Sequence, residues 1–117
     1  MTCWLCVLSL PLLLLPAAPP PAGGCPARCE CTVQTRAVAC TRRRLTAVPD
    51  GIPAETRLLE LSRNRIRCLN PGDLAALPAL EELDLSENAI AHVEPGAFAN
   101  LPRLRVLRLR GNQLKLI

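Results

Sequence analysis

A period of 24 residues governs the chain from its midpoint onward. Leu80, Leu83, Leu85, Asn88 and Ile90 return 24 positions later as Leu104, Leu107, Leu109, Asn112 and Leu114. Stepping back by the same 24 positions gives Thr56, Leu59, Leu61, Asn64 and Ile66. The register also holds between these blocks, where Leu69, Val93 and Ile117 coincide, as do Leu74 with Phe98 and Leu77 with Leu101. A unit this short cannot bury its own apolar face, so successive units must stack and share one elongated core. Alternation in Leu83-Asp84-Leu85 predicts a short strand with leucines inward and the residue between them outward. Pro71-Gly72 and Pro95-Gly96 mark the turns by which the chain returns to start the next strand. Leu74-Leu77 and Phe98-Leu101, each spaced by three, are expected to plug the core from the return side on a short 3₁₀-type turn.

The pattern L-x-x-L-x-L-x-x-N-x-L is that of the leucine-rich repeat. It predicts an α/β-type leucine-rich-repeat solenoid, a horseshoe with short parallel strands on the concave face and loops and 3₁₀ turns on the convex face. The expected division is a leader over 1–24, a cysteine-rich cap over 25–55, and repeats over 56–79, 80–103 and 104–117, the last truncated. Asn64, Asn88 and Asn112 stand where the backbone leaves each strand. Their amides are expected to satisfy backbone groups of a buried turn, a structural and not a ligand-binding role.

A solenoid exposes its core at each end and needs a cap. Cys25, Cys29, Cys31 and Cys40 form C-x3-C-x-C-x8-C, and two disulfides among four cysteines leave three connectivities open. A four-thiolate zinc site is the competing reading, but Cys29-Glu30-Cys31 lacks the two-residue knuckle spacing such sites use. No metal or cofactor is expected. The motif resembles the cysteine-rich N-terminal flank of extracellular leucine-rich-repeat proteins. That resemblance implies pairing of Cys25 with Cys31 and of Cys29 with Cys40. A small hairpin is expected over 32–40, with Ala37-Val38-Ala39 as its apolar strand. Cys68 stands apart, at a loop position matched by His92, and is expected to be semi-exposed.

Residues 1–24 read as a secretory signal peptide, with an apolar run from Trp4 to Leu15 and small residues Ala22-Gly23-Gly24 before Cys25. Apolar residues make up 50% of the sequence, but the leader holds many of them, and it is too short and proline-broken to span a bilayer comfortably. Export and disulfides agree in placing the protein in an oxidising compartment, secreted or on the cell surface. The near absence of aromatics (Trp4 in the leader, Phe98, no Tyr) argues against single-strand nucleic-acid binding, where bases stack on rings. No N-glycosylation sequon occurs. His92 has no adjacent nucleophile motif, and no phosphate-binding glycine loop is present, so no enzyme is expected. The third repeat stops at Ile117 without a convex return. The chain therefore reads as an N-terminal fragment, with membrane attachment expected only through a C-terminal region beyond it.

Two surfaces are candidates for binding. Outward residues of the strands form columns across the repeats: Leu58, Glu82 and Val106; Glu60, Asp84 and Arg108; Ser62, Ser86 and Arg110. Glu60, Glu82, Asp84, Arg108 and Arg110 would make a docking face for another protein, acidic in the middle and basic in the third repeat. Asp84 and Arg108 are expected to pair across strands. The second surface is Arg42-Arg43-Arg44 in the cap, with Arg28 and Arg36 nearby, a basic patch able to hold heparan sulfate or an acidic partner. The net charge of +4 comes from arginine, since Lys115 is the only lysine among 14 basic residues, and arginine suits two-pronged contacts to sulfate and carboxylate.

Leu61-Ser62-Arg63-Asn64-Arg65-Ile66, Val93-Glu94-Pro95-Gly96-Ala97-Phe98 and Leu107 through Ile117 resemble the leucine-rich-repeat and immunoglobulin-domain Nogo-receptor-interacting family. That resemblance implies a neural type I membrane protein, with further repeats, an immunoglobulin domain and one transmembrane helix following. It also implies co-receptor partners and self-association. The expected function is thus a non-catalytic extracellular protein-recognition module of a cell-surface receptor or adhesion protein. The alternative is a secreted matrix protein of the small leucine-rich proteoglycan type.

Overall fold

The computed structural model describes residues 25–114; the signal-peptide reading of 1–24 and the chain end at Lys115–Ile117 lie outside them. The described residues form seven short strands joined by turns. Five build one sheet: β1 (Glu30–Thr32), β2 (Ala37–Ala39), β3 (Leu58–Glu60), β5 (Glu82–Asp84) and β7 (Val106–Arg108), in the order β1-β2-β3-β5-β7. β1 runs antiparallel to β2, and every later neighbour is parallel. The parallel register follows the repeat, pairing Leu59 with Leu83 and Leu83 with Leu107.

Strand formation here rests on alternation. Leu59 and Leu83 are fully buried, whereas the residues on either side of each are only half-buried. Leu61, Ile66, Leu69, Leu74, Leu77, Leu80, Leu85 and Ile90 close around them into one continuous core. Each fully buried leucine or isoleucine contributes about 1.5–3 kcal/mol. Thr56 occupies the first leucine position of its repeat and is also buried. Its hydroxyl donates to the Pro53 carbonyl at 2.7 Å, so the polar group is satisfied.

The convex returns consist of single turns. Leu77 N–H donates to Leu74 O at 3.1 Å, Ala97 N–H to Glu94 O at 3.1 Å, and Leu104 N–H to Leu101 O at 3.2 Å. These are 3₁₀-type bonds taken one at a time, with no continuous helix among the described residues. Leu74, Leu77 and Leu101 point into the core, and Phe98 is half-buried beside buried Ala97.

A second sheet was not foreseen. β4 (Cys68–Leu69) pairs in parallel with β6 (His92–Val93), Cys68 opposite His92. This corrects the expectation that Cys68 is a semi-exposed loop residue. Burial alternates over 63–68, with Asn64, Ile66 and Cys68 inward and Arg63, Arg65 and Arg67 outward, so Cys68 falls on the core side and is fully buried.

In the cap, Cys25 is bonded to Cys31 and Cys29 to Cys40, the pairing that the resemblance to the extracellular flank implies. β2 lies where expected, but its partner strand starts at Glu30, two residues before the anticipated hairpin. Cys29 and Cys40 flank the Glu30–Ala39 pair, so their disulfide holds the strands together from that point.

The asparagines tie repeat to repeat. Asn88 Oδ1 accepts from Ile66 N–H of the preceding repeat at 3.1 Å. Its Nδ2 donates to Leu61 O at 2.9 Å, Leu85 O at 3.0 Å and Ser86 O at 3.2 Å. Asn64 reaches back into the cap: Oδ1 accepts from Arg43 N–H and Leu45 N–H, and Nδ2 donates to Cys40 O. Asn112 likewise accepts from Ile90 N–H at 3.0 Å and donates to Leu85 O at 2.8 Å. The residue before each asparagine (Arg63, Glu87, Gly111) has positive φ of 57°, 54° and 76°. That conformation costs a non-glycine residue about 1–2 kcal/mol, which the asparagine bonds offset.

Two predictions follow from this geometry. Asn88→Ala strands the Ile66 N–H in a buried site and leaves the Leu61 and Leu85 carbonyls with one donor each, from Asn64 and Asn112, and is expected to lower the unfolding free energy by about 1–3 kcal/mol in urea titration of the secreted protein. The same substitution at half-exposed Asn112 should cost less. Replacing both Cys29 and Cys40 by Ser is expected to cost about 2–5 kcal/mol, seen as a sharp fall in secreted yield from expressing cells.

Candidate binding face

The main sheet presents its outward side chains as three rows. Register stacks Leu58 on Glu82 and Glu82 on Val106, then Glu60 on Asp84 and Asp84 on Arg108. Ser62, Ser86 and Arg110 continue beyond the strand ends, where Arg63 N–H donates to Ser86 O and Glu87 N–H to Arg110 O. Glu60, Glu82 and Asp84 are half-buried, while Arg108 and Arg110 are exposed. A depression of about 760 Å³ lies at the strand exits, between Asp84, Ser86, Glu87, Arg108 and Arg110.

The expected Asp84–Arg108 ion pair does not form. Asp84 Oδ1 instead accepts from Ser86 N–H at 2.9 Å, turning the carboxylate along its own strand and away from the neighbouring one. No carboxylate among the described residues lies within ion-pair distance of Arg108 or Arg110, and no cation lies so close to Glu60 or Asp84. Within this face Glu60, Asp84, Arg108 and Arg110 thus carry no ion pair among the described residues.

Pairing occurs instead at the strand entrances, in a column the sequence reading passed over. Glu81 sits between Arg57 at 3.6 Å and Arg105 at 3.3 Å, and Arg105 also approaches Glu82 at 3.9 Å. At the strand exits Arg63 donates to Glu87 at 3.0 Å. Both sets are legible as opposite charges 24 positions apart: Arg57, Glu81 and Arg105, and Arg63 with Glu87. A separate hollow of about 260 Å³ beside the cap hairpin, near Val33, Arg36, Val38 and Pro53, had no sequence motif to announce it.

The basic patch is rearranged relative to expectation. Arg28 joins Arg42-Arg43-Arg44, its Nη1 donating to Arg43 O at 3.4 Å. Arg36 does not. Its carbonyl accepts from Arg57 and Leu58 N–H at the strand entrances, the opposite end of the sheet from Arg42, whose N–H donates to Ser62 O. The hairpin turn carries Arg36 away because β1 and β2 span the width of the sheet between the two points. Among the described residues no group of three or more His, Cys, Asp or Glu side chains could hold a metal ion, and no helix is long and apolar enough to cross a membrane.

Comparison with known proteins accords with this geometry. The profile of the family described as "Leucine rich repeat" matches residues 41–90 and 54–114, and that of "Leucine rich repeat N-terminal domain" matches 24–53. The chain belongs to the leucine-rich-repeat family. It is 82% identical over 83 residues to the mouse leucine-rich repeat and immunoglobulin-like domain-containing nogo receptor-interacting protein 3, covering 71% of this chain and 14% of that protein. The human nogo receptor-interacting protein 1 is 55% identical over 86 residues, 71% of this chain and 13% of its own length. This leucine-rich-repeat chain thus spans about one-seventh of the relatives it matches, and both bear the name of the family that the repeats resemble. Among solved structures, human 5T4 (Wnt-activated inhibitory factor 1, Trophoblast glycoprotein) superposes with a TM-score of 0.74 at 43% identity, covering 77% of this chain and 34% of that one. The capping disulfides and the N-terminal-domain match are those of an extracellular or cell-surface protein.

The distribution of ion pairs is testable by double-mutant cycles. Arg105→Ala with Glu81→Ala is expected to show a coupling of about 0.2–1 kcal/mol, the range for exposed pairs. Asp84→Ala with Arg108→Ala should show coupling indistinguishable from zero in the same denaturation assay.

Proposed function

We propose that residues 25–114 are part of a recognition module of a cell-surface receptor or adhesion protein, binding another extracellular protein without a chemical step. The division into a cap over 25–55 and repeats from 56, 80 and 104 belongs to this reading. The observation that carries it is the outward row Glu60, Asp84 and Arg108 with Arg110, whose charges have no ion partner within the described residues, whereas at the strand entrances beside it Glu81 lies between Arg57 and Arg105. Complementary charge on a partner steers encounter and fixes register, and concave solenoid faces are common binding surfaces. The names of the relatives, nogo receptor-interacting proteins with immunoglobulin-like domains, support a surface receptor over a matrix proteoglycan. A single membrane span following the repeats, co-receptor partners and self-association are parts of the same proposal.

The test uses the complete secreted ectodomain and immobilised Nogo receptor ectodomain, the partner that the relatives' names indicate. Charge reversal on the concave row, Glu60→Lys with Asp84→Lys, is expected to weaken binding by about tenfold or more, equal to about 1.4 kcal/mol. Ala75→Lys with Ala99→Lys, at exposed convex positions, should leave it within about twofold. Binding that survives the concave reversal, or falls only with the convex one, contradicts the proposal; no binding by the unsubstituted ectodomain removes this partner from it.

A further inference from the structure

We propose that the flank joining the cap to the first repeat is a binding site for a sulfated polysaccharide, a linear polyanion of the heparan sulfate kind. The site consists of Arg28, Arg42, Arg43, Arg44, Arg65 and Arg67, all exposed. They are not neighbours by chance of composition. Asn64 fixes the cap turn by accepting from Arg43 N–H at 2.9 Å and Leu45 N–H at 3.0 Å, and Arg65 N–H donates to Leu45 O at 2.7 Å. Arg65 is therefore bonded through its backbone to Leu45, the residue that follows Arg44. The alternation over 63–68 keeps Arg65 and Arg67 on the outside. Arg28 closes the other end through its bond to Arg43 O.

Charge compensation is sparse. Glu30 approaches Arg43 at 3.8 Å, and among the described residues no carboxylate lies within ion-pair distance of Arg28, Arg42, Arg44, Arg65 or Arg67. The row also ends. In the next repeat the positions of Arg65 and Arg67 are taken by Ala89 and Ala91, whose N–H groups donate to Ile66 O and Arg67 O.

The chemistry favours a glycan over the other polyanions. Guanidinium forks match sulfate oxygens in pairs and are more weakly hydrated than ammonium groups. Hot spots of protein interfaces set arginine among tyrosine and tryptophan in desolvated pockets, whereas these arginines are all exposed and Thr41, Thr46 and Ala47 beside them supply no ring. Single-stranded nucleic acid needs aromatic stacking platforms, which are likewise missing there. Disulfides place the site outside the cell, where sulfated polysaccharides occur.

The experiment measures binding of the secreted ectodomain to immobilised heparin across a salt series, with fully desulfated heparin and phosphatidylserine vesicles as competing probes. Arg42 and Arg44 have φ of 58° and 57°, so they are replaced by asparagine, which tolerates that conformation. The test variant is Arg42→Asn, Arg44→Asn, Arg65→Ser and Arg67→Ser. The control removes equal charge away from both candidate surfaces, with Arg57, Arg103 and Arg105 changed to serine and Arg36, whose φ is 54°, to asparagine. The proposal expects the test variant to bind heparin about tenfold or more weakly, the control within about twofold, and desulfated heparin not to compete. Equal losses in both variants, no loss in the test variant, competition by desulfated heparin, or a loss confined to the vesicles would each overturn it. Unchanged thermal unfolding of the variants separates a lost site from a lost fold.

Discussion

The fold depends on one arrangement: an asparagine carboxamide that leaves its own repeat and completes the backbone of the repeat before it. Each strand ends in a turn that is buried between layers, where peptide groups have no water to bond. Asn64, Asn88 and Asn112 supply both an acceptor and donors there. A threonine of similar size has one O–H donor on the same atom that accepts, whereas asparagine sets two N–H donors beside a separate carbonyl acceptor. No buried side-chain nitrogen or oxygen among the described residues lacks a partner, and the turn so held keeps Arg63 and Glu87 in a conformation their side chains disfavour.

What the asparagines fix, the surfaces inherit. A turn held from two layers sets where the residues around it emerge. The Asp84 carboxylate and the Arg108 guanidinium stand opposite each other in register yet remain apart, because Asp84 caps the N–H of Ser86. The cap follows the same rule. Two disulfides hold its first strands, and Asn64 then clamps the arginine run to the first repeat. The charged outward row of the sheet and the arginine flank of the cap are thus held by one frame.

The 24-residue period made the main sheet, its register and the columns of outward residues legible, since periodicity reports directly which side chains share a face. Cys68 was misplaced because His92, its counterpart, is polar and exposed, and a two-residue strand leaves no alternation of its own to read. The Asp84–Arg108 pair was inferred from register alone. Register gives distance between backbones but says nothing of a nearer N–H that a short carboxylate can reach. Arg36 looked like a member of the basic patch because proximity in sequence stood in for position across a hairpin. In each case the missing information lay in side-chain geometry, which depends on the folded turn.

The most direct test of this account is amide hydrogen exchange, followed residue by residue by NMR. The N–H groups of Arg43, Leu45, Ile66 and Ile90 bond only to asparagine side-chain oxygens. The account predicts that all four exchange as slowly as the strand amides of β3 and β5, opening only with global unfolding. Exchange of these four at the rate of exposed turn residues such as Thr46 and Ala47, with the strands still protected, would mean that the asparagines decorate the turns without holding them.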